Sequence, residues 1–127
     1  MIQLDYRDVR PIYAQIVDGY REQILSGILQ PEDKLPSVRE LASTLTINPN
    51  TIQRAYRQLE MEGWIATVPG KGCFVCGAPV AAIREREGLI AQFDKIVADL
   101  IDLGLTREEL RERLMRGGNT HAQAEDS

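Results

Sequence analysis

Residues 37–63 read SVRELASTLTINPNTIQRAYRQLEMEG, and this stretch decides the fold. It opens on a capping box: the Ser37 hydroxyl is placed to accept from the N–H of Glu40, and the Glu40 carboxylate to reach back to Ser37. Val38, Leu41, Ala42 and Leu45 then form the inner face of a helix of about two turns. The chain breaks at Thr46-Ile47. Asn48 caps the next helix, and Pro49 takes its first position, where a missing N–H costs nothing. Ile52, Ala55, Tyr56 and Leu59 line the inner side of this second helix, and Gly63 is placed to end it. Two short helices joined by a tight break spell a helix-turn-helix.

The flanking sequence supplies what such a pair needs for a core. Upstream, a helix starts near Pro11, and Ile12, Ile16, Tyr20 and Ile24 recur every four residues with Tyr13 and Val17 beside them. Gly27 is placed to end it, and a loop from Leu29 to Pro36 leads to Ser37. Downstream, Trp64–Val68 is β-prone and partly alternating, Pro69-Gly70-Lys71-Gly72 is a turn, and Cys73–Cys76 is a returning strand. A hairpin after a helix-turn-helix is a wing. The expected class is therefore mainly α with a small β-hairpin wing (α+β).

The outward side of the helix that begins at Pro49 carries the functional signal. At about 100° per residue, Asn50, Thr51, Arg54, Arg57 and Gln58 cluster opposite the apolar set, with Gln53 at the margin. None of these is acidic. They are the side chains that pair with guanine or adenine edges or bond phosphate oxygens. Such a face on an arbitrary helix is merely solvated; here it stands beside a turn and a wing. Gly70 and Lys71 sit at the wing tip, where glycine lets the backbone approach a surface and a lysine meets phosphate. Arg39, beside Ser37 at the start of the preceding helix, bonds either phosphate or a nearby carboxylate. The candidate DNA contacts are thus Ser37, Arg39, Asn50, Thr51, Gln53, Arg54, Arg57, Gln58, Gly70 and Lys71.

The global charge opposes this reading and has to be answered locally. The 127 residues carry a formal net charge of −4, with 43% apolar and 27% charged residues, the composition of a soluble globular protein. Residues 1–76 hold 8 basic against 9 acidic side chains and residues 77–127 hold 7 against 10, so more of the acidity lies outside the wing-bearing part. Binding needs a basic strip, not a basic protein. The two cysteines, Cys73 and Cys76, lie three apart in a strand and point to opposite faces, so they are read as one packed and one exposed thiol. With one histidine, His121, in the tail, a structural zinc site lacks ligands. No nucleophile–base pair, phosphate loop or cofactor site is seen, so no enzyme and no cofactor are expected. An early charged N-terminus and no apolar run near 20 residues predict a cytoplasmic protein without a membrane span.

The run Pro11-Ile12-Tyr13-Ala14-Gln15-Ile16, then Ile24-Leu25-Ser26-Gly27, then Leu35-Pro36-Ser37-Val38-Arg39-Glu40-Leu41-Ala42 resembles the DNA-binding domain of the GntR family of bacterial transcription regulators. The resemblance continues through Asn48-Pro49-Asn50-Thr51-Ile52, Tyr56-Arg57-Gln58-Leu59-Glu60 and Glu62-Gly63-Trp64-Ile65 to Gly70-Lys71-Gly72, and spans residues 9–76. It implies a winged helix-turn-helix that binds a near-palindromic operator as a dimer. It also implies DNA contacts from Arg39, from Asn50 and Thr51, and from Gly70 and Lys71. Some family members carry arginine where this chain has Pro49 and Gln53, so different base preferences are expected here.

The remaining segment is too short for a large effector domain and is similar to the YtrA-like subfamily, whose C-terminal helices dimerise. Its own pattern agrees. Leu89, Phe93, Ile96, Leu100 and Leu103 step by four and three, a heptad-like seam widened by Ile90, Val97 and Ile101. A second capping box, Thr106 with Glu109, opens a helix lined by Leu110 and Leu114, with Leu105 and Leu110 placed as a hydrophobic staple. Two helices of this size do not bury such a stripe alone, so a second copy is the expected cover; the alternative is that the long helix folds back on its own winged part. The expected organisation is 1–76 winged helix-turn-helix, 77–116 dimerisation region and 117–127 disordered tail.

The leading expectation is a dimeric repressor, and the subfamily resemblance implies a transporter operon as its target. Two other readings stay open: a protein-interaction adaptor built on a winged helix, and an effector-gated switch with an unidentified small molecule in the dimer region.

Overall fold

The computed structural model describes residues 2–117. Its elements run α1 (Ile12–Leu25), α2 (Val38–Leu45), α3 (Pro49–Glu62), β1 (Ile65–Val68), β2 (Gly72–Val75), α4 (Val80–Asp102) and α5 (Arg107–Arg116). The chain divides into two compact units, Met1–Ile83 and Arg84–Ser127. The predicted tail from residue 118 onward, with His121, lies outside the described residues.

The first unit is built as its punctuation dictates. Ser37 caps α2 with both halves of the capping box made, and Thr46 ends it in the left-handed region at φ 56°. The Asn48 side chain accepts from Asn50 N, Pro49 opens α3, and Gly63 closes it at φ 92°. Pro11 is the N-cap of α1, one position earlier than a first helical residue, because its ψ of 152° is extended. The apolar faces of the three helices meet over Ile16, Val17, Ile52 and Leu59, all essentially without solvent contact, and Ile65, Trp64 and Val75 of the hairpin close the core. Truncating any such core aliphatic costs about 2–5 kcal/mol. Val38, Leu45, Ile12 and Tyr13 pack at its edge, half-buried.

β1 and β2 pair antiparallel with Ile65 opposite Val75 and Val68 opposite Gly72. The segment before α2 joins them: Lys34 bridges Phe74, and Leu35 N donates to Cys73 O at 2.9 Å. The wing is therefore fastened on both sides, since Thr67 N also donates to Glu60 Oε2 of α3 at 2.9 Å. The N-terminal segment is anchored by the buried Gln15, whose amide accepts from Asp5 N and donates to the carbonyls of Asp5 and Arg10. Ile2 lies against Gly19, where a β-carbon would meet its Cδ1 at 2.6 Å.

α4 ends at Asp102, the turn after it carries Gly104 at φ 104°, and Thr106 caps α5 with a complete capping box. Neither helix buries a residue within the chain. Leu89, Ile90, Phe93, Ile96, Leu103 and Leu114 are exposed, Phe93 to 47%. Val97, Leu100, Ile101, Leu105 and Leu110 are half-buried. No helix among the described residues is long and apolar enough to cross a membrane.

Candidate nucleic-acid interface

Three elements frame one surface. The N-terminus of α2, one flank of α3 and the base of the wing enclose a cleft of about 220 Å³ lined by Ser37, Gln53, Arg57, Glu60, Thr67 and Gly72. Of the residues named from sequence, Ser37, Gln53 and Arg57 are thus brought together. Arg39 and Asn50 are exposed, Thr51 is half-buried, and Gly70 and Lys71 are exposed at the wing turn, which Lys71 N closes by donating to Val68 O at 2.9 Å.

Three predicted contacts are engaged within the protein, Ser37 through its capping box with Glu40 and two more on α3. The Gln58 amide donates to Glu62 Oε2 at 3.1 Å, which turns it along the helix axis. The Arg54 guanidinium lies over the Tyr13 ring of α1, 3.8 Å from its centroid. No carboxylate stands at ion-pair distance from Arg39, Arg54, Arg57 or Lys71 among the described residues. The alternative of an Arg39–carboxylate pair is therefore not what forms.

The acidic residues bordering this surface are occupied. The backbone N–H and hydroxyl of Ser37 hold the Glu40 carboxyl below its ordinary range. Burial pushes the Glu62 carboxyl up, but hydrogen bonds from Arg21, Gln58 and Trp64 outweigh it and leave it lowered. Glu60, which sequence reading left off the face, lines the cleft and accepts from Thr67 N. Each carboxylate positions an element rather than a cation of the outward set. Neither cysteine forms a disulfide: Cys73 is half-buried, its thiol pushed up by burial, and Cys76 is exposed. No group of three or more His, Cys, Asp or Glu among the described residues is placed to hold a metal.

Sequence reading also missed Lys34. Its side chain crosses Gly72, where a β-carbon would sit 2.8 Å from Cε, so a cation lies at the base of the wing. The signal was present: a lysine directly before Leu35-Pro36-Ser37, in a loop that must pass the returning strand.

Residues 12–75 match the family described as bacterial regulatory proteins, gntR family. The chain belongs to this family. It is 41% identical over 114 residues to the HTH-type transcriptional repressor YtrA of Bacillus subtilis, covering 88% of each chain. A GntR family transcriptional regulator from Listeria monocytogenes superposes with a TM-score of 0.60 at 36% identity, over 89% of this chain and 98% of that one. AraR(DBD) in complex with operator ORR3 matches 58% of this chain and 89% of that one, with a TM-score of 0.51 at 30% identity. The five helices and two-stranded sheet are thus a GntR winged helix followed by a C-terminal helical region, and the gntR members are transcription regulators rather than enzymes.

Proposed function

We propose that this GntR-family protein is a dimeric repressor in which the outward side of α3 enters the DNA major groove. The observation that carries the reading is the set of amide and guanidinium side chains on that side, Asn50, Gln53 and Arg57, which no carboxylate of the described residues pairs. Asn50 and Arg57 are exposed, Gln53 and Ser37 stand beside Arg57 in one cleft, and the nearby carboxylates are tied to other donors. Amide and guanidinium groups of this kind read base edges in the major groove. Arg39, Thr51, Gly70 and Lys71 border them and meet the backbone, and the carbonyl oxygen of Gln58 keeps its accepting capacity. Residues 1–76 form the DNA-binding part and residues 77–116 the dimerisation part.

A dimer places two α3 helices on half-sites one helical turn apart, roughly 34 Å, or a multiple of it, so the operator is near-palindromic. The apolar series of Leu89, Phe93, Ile96 and half-buried Leu100 on α4, with Leu103 just beyond it, supplies the pairing surface with Ile90 and Val97, and Leu110 and Leu114 extend it on α5. Two named relatives support the reading. YtrA of Bacillus subtilis is called a repressor, and AraR(DBD) is held in complex with an operator. Occupancy of the operator then blocks transcription, in the cytoplasm where the chromosome lies, and the subfamily resemblance points to a transporter operon. Selection from random duplexes tests this. A pair of inverted half-sites with footprints one turn apart is expected, and failure to enrich any sequence over bulk DNA overturns it.

A further inference from the structure

The exposed side of α3 has two flanks, and they are equipped differently. Gln53, Arg57 and Glu60 face the cleft toward α2 and the wing. Arg54 and Gln58 face α1, where Gln58 and Arg21 converge on Glu62 and Arg54 lies on Tyr13. An arginine that reads a base extends from its helix toward the groove floor. Arg54 is instead drawn back onto the neighbouring helix, its guanidinium 3.8 Å above the centre of a half-buried ring.

Stacking restrains the guanidinium without consuming its donors. The five N–H groups point outward in the guanidinium plane, whereas the ring meets its face. No carboxylate at ion-pair distance takes those donors among the described residues. The result is a preorganised fork on the α1 flank of a helix whose opposite flank carries Arg57 and adjoins the wing. A helix seated in a major groove has a phosphate strand on each side.

We infer that Tyr13 is a positioning residue that holds Arg54 as a clamp on a backbone phosphate of the strand facing α1, and that Arg54 does not read a base. This rests on the reading of α3 as the groove-entering helix. The clamp is sequence-independent and belongs to affinity, while base discrimination falls to the Asn50, Gln53 and Arg57 side.

The experiment is a double-mutant cycle on the full chain, titrated against a selected operator and single-base variants of it across salt concentrations. R54Q is expected to weaken all duplexes by the same factor, roughly tenfold. It should also lower the slope of log affinity against log salt by about one. Y13F keeps the ring and is expected to match wild type. Y13L is expected to lose most of what R54Q loses, and to add nothing in the R54Q background. An altered base preference in R54Q overturns the assignment, as does an equal loss from Y13L with and without Arg54, or a Y13F that behaves as Y13L. Tyr13 also packs at the core edge, so circular dichroism checks each variant. If Y13L is unfolded, Y13F and R54Q decide the matter by the same criteria. Wild-type protein that binds no duplex removes the DNA reading itself, an outcome distinct from wild-type binding with an inert R54Q.

Discussion

The Tyr56 hydroxyl of α3 donates to Pro36 O at 2.7 Å, one residue before the cap of α2. This bond fixes how the two helices of the helix-turn-helix meet, because it ties the middle of one to the entry of the other. The same ring sits edge-on to Tyr20 of α1, with centroids 6.0 Å apart at 72°. Burial pushes the Tyr56 phenol well above its ordinary pKa, so it remains a donor at all pH values where the protein is used. Tyr56→Phe keeps the ring and orphans the carbonyl. We expect a loss of about 1 kcal/mol in urea unfolding, seen as a lower midpoint at unchanged slope. An unchanged midpoint removes the bond from the account of the fold.

Glu62 accepts from two nitrogens of the neighbouring helix's arginine: Arg21 Nη2 lies 2.5 and 2.6 Å from its two carboxylate oxygens, Nε donates at 3.1 Å, and the Trp64 indole donates at 3.0 Å. Its folded pKa is lowered, so its stabilising contribution is present above the ordinary carboxylate pKa, about 4.3, and fades as pH falls through the folded value. Glu62→Gln should therefore unfold more easily at neutral pH by about 1 kcal/mol, discounted because the pair is one-third exposed. Below pH about 4 the gap to wild type should close. Chemical denaturation at a series of pH values checks this. A gap that widens in acid contradicts it.

At Gly72 the backbone has φ 125°, and a β-carbon there would press on Lys34 Cε at 2.8 Å. The lysine end is flexible and gives way, whereas the backbone conformation does not. Gly72→Ala should cost about 1–3 kcal/mol through strain at the wing base. Lys34→Ala in the same chain should recover only a minor part. Full recovery in the double variant would show that contact, not backbone conformation, sets the requirement for glycine.

How much of this was legible in the sequence follows from the range of each interaction. Caps, glycine stops and apolar faces are local. Ser37–Glu40, Asn48–Pro49 and Thr106–Glu109 announce their helices within four residues, and all three caps form. The outward set on α3 follows from the same 3.6-residue period. What stayed hidden are partners distant in sequence: Tyr13 beneath Arg54, Lys34 across Gly72, Glu60 on Thr67 N, and Gln15 anchoring the N-terminal segment. Periodicity places Tyr13 on an apolar face but not under a cation forty-one positions away.

Arg57 and Lys71 should fail differently under truncation. Arg57 lines the cleft from α3, and Lys71 stands at the exposed wing tip. If Arg57 reads a base, Arg57→Ala weakens specific binding by about 1–3 kcal/mol and relaxes the preference at one position. Lys71→Ala weakens all sequences alike and flattens the salt dependence by about one unit of slope. Binding titrations on matched and mismatched duplexes separate the two. Interchanged signatures would reverse the assignment of base reader and phosphate contact.

Phe93 is the most informative position on the proposed pairing surface. It is the second position of the heptad-like series that begins at Leu89 on α4, and its own chain shields it only in part, since 47% of it is exposed. A coiled-coil seam tolerates a polar side chain poorly at its centre, and two glutamates facing each other add like-charge repulsion to lost apolar burial. Phe93→Glu should therefore sediment as a protomer at concentrations where wild type is a dimer, while circular dichroism of the winged unit stays unchanged. Operator affinity should fall toward that of a single half-site, because the second contact is no longer intramolecular; losses from linkage of this kind reach roughly 10²–10⁴. A variant that remains dimeric, or a wild-type chain that sediments as a protomer, rejects α4 as the pairing surface and leaves its apolar face to some other cover.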